Sequence, residues 1–280
     1  MTTSAAPPAV DEKAESIGRP EGYGADHSMV RDVGLIWRFT VQIARHMPGV
    51  RKYFTEVFRQ AGIFIFTSSP IIWFMMALIA AEISLQGHYL LKQLGAGGYA
   101  GLFAAVSDYT VAAIMWGWIL AAKVGCGLVA EIGSMRISEE IDALDVMGVD
   151  SKSYLVSTRV LAIVIVTPFM FTIGFALMYY VNVLLNVSVY ETASMGAFYT
   201  VFWSFMTNMD VILSASAGLI IGVVIVLVGC YYGYNASGGP VGVGKNTAKS
   251  MIINLIVVSV IGIIYQQLFF GGFPRTPIGN

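Results

Sequence analysis

The sequence has little charge. Only 12% of its 280 residues are Asp, Glu, Lys or Arg, whereas an average soluble domain carries about 25%. Apolar residues make up 56% of the chain. A single core of this chain length does not bury that many apolar side chains, because a soluble domain keeps much of its surface polar. The composition therefore excludes an ordinary soluble domain and favours an integral membrane protein.

Cysteine, histidine and enzyme motifs are also scarce. Cys126 and Cys230 both lie inside apolar runs, so they do not form a secreted disulfide framework. The three histidines, His27, His46 and His88, are scattered, and the sequence contains no His-Glu-x-x-His, Gly-x-Ser-x-Gly or Cys-x-x-Cys pattern. A formal net charge of −1 excludes nucleic-acid binding through bulk positive charge. We therefore predict neither a metal centre nor an enzyme.

Long apolar runs are what the sequence has in abundance. Five of them reach the length of roughly 20 residues that crosses a hydrocarbon core of about 30 Å. They lie near residues 62–85, 106–130, 155–184, 209–232 and 250–270. The third run is longer than one straight crossing requires and contains Pro168. We expect a tilt or kink there, with Arg159 at the membrane interface.

Two segments of different character precede these runs. Residues 1–30 are rich in Pro, Gly, Ala and charge and lack the apolar core of a signal peptide, so we expect a disordered cytoplasmic leader. Residues 31–60 repeat apolar side chains at helical spacing among six basic ones, with an interruption near Pro48. This pattern is typical of an amphipathic helix in the headgroup layer. A solvated helix packed on a soluble partner is the alternative.

The distribution of Lys and Arg predicts the orientation, because cytoplasmic loops hold the excess of these residues. With the amino terminus inside, the outer segments hold only Lys92 and Arg275. We therefore expect a cytoplasmic amino terminus and an outer carboxyl-terminal tail over residues 273–280. The expected outer loops lie near 86–105 and 186–208, and the expected inner loops near 131–154 and 233–249.

The inner loop between the second and third runs contains the signals of a short helix. Ser138 followed by Glu139 and Glu140 indicates a helix start, in which the serine caps free backbone amides and the acids oppose the positive end of the helix dipole. Gly148 indicates the end of that helix.

The same short helix has one apolar ridge, formed by Ile141, Leu144 and Met147 at helical spacing. A helix of two turns is not stable alone in water. We therefore expect the ridge to insert into a groove on a partner, with the flanking acids meeting basic groups at the rim. An ordinary interfacial loop helix is the alternative, although the anionic inner leaflet would repel its acids.

Residues 123–148, which include EIGSMRISEEIDALDVMG from Glu131 onwards, resemble the signature of the MlaE/YrbE permeases of ABC-type lipid transporters. Residues 233–245 are similar to the Gly-rich segment that precedes the last span in that family. Five spans after an amphipathic helix also fit, so the resemblance covers about residues 30–272. The leader and composition are most like actinobacterial YrbE subunits of Mce systems. We therefore expect an all-α integral membrane protein with a five-span permease domain over 61–272.

The resemblance implies a multi-pass permease subunit of an ATP-driven transporter that imports lipids or fatty acids across the cytoplasmic (inner) membrane. The implied partners are a cytoplasmic ABC ATPase, a second YrbE-type permease in a heterodimer, and outer Mce-domain proteins that carry lipid. ATP and Mg²⁺ would bind the ATPase, and no cofactor is expected on this chain. The short helix would be the coupling helix that docks on the ATPase. The residues assigned to this coupling site are Arg136, Glu139, Glu140, Asp142, Leu144, Asp145, Met147 and Gly148.

One segment imitates a nucleotide site. Residues 239–246, GPVGVGKN, nearly match a phosphate-cradling loop, but Asn246 replaces the Ser or Thr that holds Mg²⁺, and no soluble strand precedes the segment. We therefore expect no nucleotide site on this chain.

Ionisable residues near or within spans are costly and hence candidates for function: Glu82, Asp108, Lys123 and Asp210. An ordinary structural role close to the interface is the alternative for each of them. Glu82, Gln86, Lys123 and Asp210 are our candidates for the lipid path.

Two other functions fit the same sequence. A secondary transporter or channel would use Asp210, Lys123 and Glu82 as an ion relay and would need no ATPase. A membrane scaffold would assemble other proteins without moving lipid. The acidic short helix favours the ATP-driven transporter, because such a helix on the inner face has an obvious use only if a cytoplasmic protein docks there.

Overall fold

The computed structural model describes residues 29–269, and every regular element in this range is helical. The all-α prediction is therefore confirmed. The α-helices are α1 (Met29–His46), α2 (Phe54–Gln93), α3 (Ala100–Leu120), α4 (Cys126–Ile137), α5 (Glu140–Val146), α6 (Thr158–Val183), α7 (Met195–Phe205), α8 (Asn208–Tyr234) and α9 (Gly239–Phe269). Short 3-10 helices lie at Met47–Tyr53 and Gly97–Tyr99, and π-helical turns at Ala121–Gly125, Lys152–Ser157 and Leu184–Val189. The predicted tail over 273–280 and all but the end of the predicted leader over 1–30 lie outside the described residues.

Five helical segments are long and apolar enough to cross a membrane, as predicted. They are Gly34–Gln93, Gly97–Ile137, Lys152–Val189, Asn208–Tyr234 and Gly239–Phe269. All of them run beyond the predicted bounds on at least one side, because the polar and glycine-containing flanks continue the helices. The helix ends group at two ends of the bundle. We call them the α5 end, which holds α5 and the last residue of α8, and the α7 end, which holds α7 and the last residue of α2.

Residues 31–60 are interrupted at Pro48, as predicted, but the part after the interruption belongs to the first span. α1 ends at His46, a 3-10 helix containing Pro48 follows, and residues 54–60 begin the 40-residue α2. α1 itself has two faces, as the pattern predicts. Phe39 and Ile43 are buried, and the ring of Phe39 lies 5.6 Å from that of Tyr231 in α8, whereas Trp37 is 69% exposed.

Two predicted loops contain helix. The segment near 233–249 is helical from Gly239 onwards, because Pro240 stands in the first turn of α9, where its missing N–H costs no hydrogen bond. The segment resembling a phosphate-binding loop is therefore part of a helix. The predicted outer loop near 186–208 contains α7, in which Phe198 and Phe202 are buried.

Long helix–helix contacts form the core. α2 packs along α6, and α8 packs against α3, α4, α6 and α9. Gly117 in α3 allows a close approach of three helices. A Cβ atom at this position would lie 2.5 Å from Val258 Cγ1 in α9 and 2.6 Å from Ile221 Cγ2 in α8. Three spans therefore meet at a residue without a side chain.

α6 contains Pro168 and remains helical through it. We expected the first turn of α6 to present Arg159 to the membrane interface, but it does not. The Arg159 side chain is 2% exposed and turns into the protein, where it meets Glu131 of α4. A guanidinium needs a partner once it is buried, and the sequence pattern did not reveal this partner.

Candidate functional site

α5 begins differently from the sequence prediction. Ser138 is not its N-cap. It ends α4, and its hydroxyl donates back to the carbonyl of Ser134 at 3.0 Å and to the Glu140 carboxylate at 2.9 Å. Glu139 takes the position before α5 with a left-handed φ of 62° and no side-chain cap. The reversal between two adjoining helices requires this backbone conformation. Gly148, with a φ of 77°, lies just beyond the end of α5, as predicted.

The predicted apolar ridge of α5 does not face outwards as a whole. Ile141 is fully buried, and Leu144 is half-buried against the same core. The exposed apolar side chains are Val146, 89% exposed, and Met147, 69% exposed. A helix this short gains its stability from packing on its own bundle, so Ile141 and Leu144 turn inwards and Met147 stays exposed. The free surface of α5 therefore consists of Val146, Met147 and exposed acids, which are Glu139, Glu140, Asp142 and Asp145.

Arg136 holds α5 to the chain that precedes it. Its guanidinium lies 2.5 Å from the Asp142 carboxylate and 6.0 Å from the centre of the Tyr234 ring. Arg and an aromatic face attract each other at this distance. Of the predicted coupling residues, Arg136 and Asp142 therefore position α5 within this chain.

Asp145 joins α5 to the next span. Its Oδ1 accepts a hydrogen bond from the backbone N–H of Ser151 at 3.2 Å. Ser151 is buried, and its hydroxyl shares a hydrogen bond of 3.0 Å with that of Tyr234, the last residue of α8. The end of α5, the start of the third span and the end of the fourth span thus meet.

Asp150 is a residue of this region that the sequence analysis missed. Its carboxylate accepts hydrogen bonds from the Ser153 hydroxyl at 2.6 Å and the Lys152 N–H at 3.2 Å. It also lies 2.6 Å from His46 Nδ1, which donates, because a carboxylate only accepts. Partial burial raises the pKa of Asp150, but the hydrogen bonds from Ser153 and His46 outweigh this effect and lower it. An Asp just before a helix is an N-cap signal that would have indicated part of this role.

The four candidates for the lipid path do not share one environment. Glu82 and Gln86 lie one turn apart on the exposed side of α2, with a hydrogen bond of 2.8 Å between them. Lys123 is exposed on the π-helical turn after α3. Asp210 is 2% exposed and accepts a hydrogen bond from the Thr207 N–H at 2.9 Å in a capping box that starts α8. The structure thus brings together Glu82 and Gln86 and gives Asp210 a structural role.

Asp108 belongs to a buried polar cluster that the sequence analysis did not group. Its Oδ1 accepts from Asn182 Nδ2 at 2.9 Å, Ser84 donates to Asn182 Oδ1 at 2.6 Å, and Asn186 Nδ2 donates to Ser84 at 3.2 Å. All four side chains are buried. They join α2, α3 and the third span. The spacing of Asn182 and Asn186, one turn apart in an apolar helix, is the signal that could have indicated such a cluster.

A lateral groove runs between α3 and α9. It has a volume of about 250 Å³. Its lining is mostly apolar, with Thr110, Ser259 and Gln266 as polar members. The Trp118 indole donates to the Ser259 hydroxyl at 3.1 Å across the groove. A groove of this kind accommodates an apolar chain with a few polar groups beside it.

The sequence is similar to those of several known proteins. The chain is 26% identical over 219 residues to a probable ABC transporter permease protein of Rickettsia bellii, covering 78% of this chain and 84% of that protein. It is 28% identical over 173 residues to a probable ABC transporter permease protein of Synechocystis sp., covering 60% and 64%. It is also 26% identical over 176 residues to the protein TRIGALACTOSYLDIACYLGLYCEROL 1, chloroplastic, of Arabidopsis thaliana, covering 61% and 49%.

A family profile described as Permease MlaE matches residues 57–268. This range includes all five helices that are apolar enough to cross a membrane, in whole or in large part, together with α5 and its contacts to the third and fourth spans. The chain therefore belongs to the MlaE family of permeases and is the membrane-spanning permease subunit of an ABC transporter.

Proposed function

We propose that this permease moves lipids or fatty acids and that a cytoplasmic ABC ATPase docks on the free surface of α5. The observation that carries the docking site is the exposure of Val146 and Met147 beside four acids, at 89% and 69%. Burying such side chains against a partner contributes about 1.5–3 kcal/mol each. The acids would meet basic groups at the rim of the partner's groove and set the orientation of docking.

The contacts that hold α5 support a coupling role. The Arg136–Asp142 ion pair and the Asp145–Ser151 hydrogen bond connect α5 to the spans on both sides of it in the chain. A partner that contacts α5 differently in its two nucleotide states would shift the permease between two states. Identical contacts in both states would shift nothing.

The charge distribution supports a cytoplasmic α5 end. Exposed basic side chains at this end lie on α1, the 3-10 helix after it and the start of α9, whereas Lys92 is near the α7 end. Exposed basic residues at the α5 end include Arg38, Arg45, Arg51, Lys52, Lys245 and Lys249, together with Arg59 near the start of α2. By the excess of positive charge on cytoplasmic segments, we place the amino terminus inside and the end of α9 outside.

The groove between α3 and α9 is our candidate for the lipid path. It opens to the side, and α9 has the smallest share of buried residues among the five spans. A second, different YrbE-type permease would cover this face and close the path, and outer Mce-domain proteins would supply lipid for import. The Arabidopsis relative is named after a glycolipid, which is in keeping with a lipid substrate.

Copurification tests the docking site. The tagged protein is extracted from its native membrane in mild detergent, and the bound proteins are identified by mass spectrometry. The test variant is Val146→Asp with Met147→Asp. We choose these residues over Leu144, because Leu144 packs on the core and its replacement would also destabilise the fold. Val241→Asp is the matched control, since Val241 is 70% exposed at the same end of the bundle.

We expect an ABC ATPase with the wild type and with the Val241→Asp control, and none with the double variant. An ATPase that stays bound to the double variant would contradict docking on α5. If intact wild-type protein brings down no ATPase at all, the gradient-driven alternative, with Glu82, Lys123 and Asp210 as its ion relay, should be tested in liposomes.

A further inference from the structure

Four consecutive residues after α5, which we call the 150–153 junction, reach two other parts of the bundle. Asp150 contacts His46, the last residue of α1, at 2.6 Å. Ser153 reinforces this contact, because its hydroxyl lies 2.6 Å from the Asp150 carboxylate and 3.2 Å from the His46 carbonyl. α1 continues through the 3-10 helix Met47–Tyr53 into α2. The junction is thus linked to the first span.

The second contact of the junction is with α8. The buried hydroxyl of Ser151 lies 3.0 Å from that of Tyr234, where α8 ends. The Tyr234 ring also lies 6.2 Å from the Phe39 ring of α1 and 6.0 Å from the Arg136 guanidinium. Tyr234 therefore occupies the point where α1, α4, α8 and the junction converge.

The junction is fastened to α5 itself. Asp145 accepts from the Ser151 N–H at 3.2 Å, and the Val149 N–H donates to the Leu144 carbonyl at 3.0 Å. Only three residues separate the end of α5 from the start of the junction. A displacement of α5 therefore moves the junction with it, unless these hydrogen bonds break.

We propose that the 150–153 junction transmits displacement of α5 to α1 through Asp150 and His46, and to the end of α8 through Ser151 and Tyr234. This proposal rests on the proposed docking of an ATPase, which supplies the displacement. The residues act by position: none of them needs to touch lipid or nucleotide. Contacts of this kind transmit a change only if they persist in both states of the transporter. The buried hydroxyls of Ser151 and Ser153 shield their hydrogen bonds from water, and Ser153 reinforces the His46–Asp150 contact, whose side chains are 40% and 43% exposed.

The test measures movement and does not depend on knowing the lipid. Spin labels are placed on Arg45→Cys in α1 and on Ser237→Cys beyond α8, each paired with Met195→Cys in α7, in a background where Cys126 and Cys230 are Ala. These three positions are exposed. Pulsed electron paramagnetic resonance then gives the label-to-label distance in the complex with its ATPase, with ADP and with a non-hydrolysable ATP analogue.

Three variants interrupt the junction. His46→Ala breaks the α1 contact without touching the hydrogen bonds that start the third span, Asp150→Ala breaks it from the other side, and Tyr234→Phe removes only a hydroxyl. The control is Glu191→Gln, which removes one negative charge from an exposed site at the α7 end. The bound ATPase and its hydrolysis rate are measured for every variant.

In the wild type and in the control we expect each label pair to shift by about 2 Å or more between nucleotide states. His46→Ala and Asp150→Ala should each reduce the α1 shift, since the hydrogen bond from the Ser153 hydroxyl to the His46 carbonyl remains. Together they should do no more than either alone, because they break the same side-chain contact. Tyr234→Phe should reduce the α8 shift. The amount of bound ATPase should stay the same, and the rate of ATP hydrolysis should fall by a smaller fraction than the shift in label-to-label distance.

Three results would overturn the proposal. The first is a wild-type complex in which neither label moves between nucleotide states. The second is a normal α1 shift in both His46→Ala and Asp150→Ala with a normal α8 shift in Tyr234→Phe. The third is loss of the ATPase itself from these variants, since the junction would then serve docking. A wild type that binds no ATPase removes the proposed function together with this inference, and the copurification identifies that case separately.

Discussion

The guanidinium of Arg159 lies 2.6 Å from the carboxylate of Glu131, and this ion pair joins α6 to α4. The two partners differ in environment: the Arg159 side chain is 2% exposed and that of Glu131 is 49% exposed. Arg159 also donates to the Leu155 carbonyl at 2.6 Å, whereas its Nε has no hydrogen-bond partner among residues 29–269. The buried guanidinium therefore depends on Glu131 far more than Glu131 depends on it.

This asymmetry predicts unequal effects of removing each partner. Glu131→Ala leaves a buried charge without its carboxylate and should lower the free energy of unfolding by about 1–3 kcal/mol, less than for a fully buried pair because water reaches half of Glu131. Arg159→Met leaves only a carboxylate that is already partly hydrated and should cost less. Thermal unfolding in detergent, followed by tryptophan fluorescence, measures both effects.

The double variant, Glu131→Ala with Arg159→Met, is the decisive control for this asymmetry. It should be more stable than Glu131→Ala alone, because the uncompensated buried charge is gone. If Arg159→Met proves as damaging as Glu131→Ala and the double variant is worse than both, the burial of the guanidinium is not what makes the pair necessary.

The Asp108 cluster predicts that shape and hydrogen bonding matter there more than charge. Asp108→Asn keeps an oxygen that can accept from Asn182, so stability should change by less than about 1 kcal/mol. Asp108→Leu leaves the Asn182 amide without this acceptor in a buried site and should cost about 1–3 kcal/mol. Unfolding midpoints of the two variants in the same detergent compare these effects. Equal destabilisation by Asn and Leu would mean that the carboxylate itself is required.

The sequence was sufficient for the membrane architecture, because the length of an apolar run sets how far a helix extends across a bilayer. It was insufficient for α5, because the pattern of a short helix does not show whether its apolar side packs on its own bundle or on a partner. The period of Ile141, Leu144 and Met147 defines a ridge, but only the tertiary structure decides that Ile141 turns inwards. The helical start at Gly239 was missed, because the glycines of this segment are typical of a loop. Pro240 in the first turn was the signal for a helix start.

Contacts between distant residues were also beyond the sequence. His46 and Asp150 are separated by 104 positions, and Ser84 and Asn182 by 98. Local spacing marks Asn182 and Asp150 as polar residues with a role, but it does not identify their distant partners. The polar residues of these clusters were visible one by one, as Asp108 was, but the partners that give them a role come from the packing of α1 and α2 on the third span.

Asp150 predicts a pH dependence of stability. Partial burial opposes ionisation, but hydrogen bonds from Ser153 and His46 hold the pKa of Asp150 below its usual value. A carboxyl whose pKa is lower in the folded state stabilises the fold fully above the unfolded-state pKa and loses that contribution as the pH falls through the folded-state pKa. The wild-type melting temperature should therefore fall on acidification below the ordinary pKa of Asp.

Asp150→Asn should reduce this acid-induced fall, since the asparagine does not titrate. The titratable group facing Asp150 from α1 is His46, and the neighbouring charge on its own segment is Lys152. Asp142→Asn is the control, because Asp142 pairs with Arg136 elsewhere on the same surface. Melting temperatures across a pH series compare the three proteins. An Asp150→Asn profile parallel to that of the wild type would contradict this role.

The close approach of three spans at Gly117 predicts a steric effect that one further substitution relieves. Gly117→Ala places a methyl group 2.5 Å from Val258 Cγ1 and 2.6 Å from Ile221 Cγ2. Both neighbours are β-branched and stiff, so α3, α8 and α9 must move apart, which should cost about 1–3 kcal/mol. Val258→Ala added to Gly117→Ala should recover part of the loss by vacating one of the two contacts.

Gly127→Ala is the matched control on the same span, because a Cβ atom there meets nothing within 4 Å, and alanine should be neutral or stabilising by about 0.5–1 kcal/mol. Unfolding in detergent ranks these variants. Gly117→Ala with the stability of Gly127→Ala would show that the helices separate at no cost, and failure of Val258→Ala to recover any stability would locate the clash at Ile221 alone.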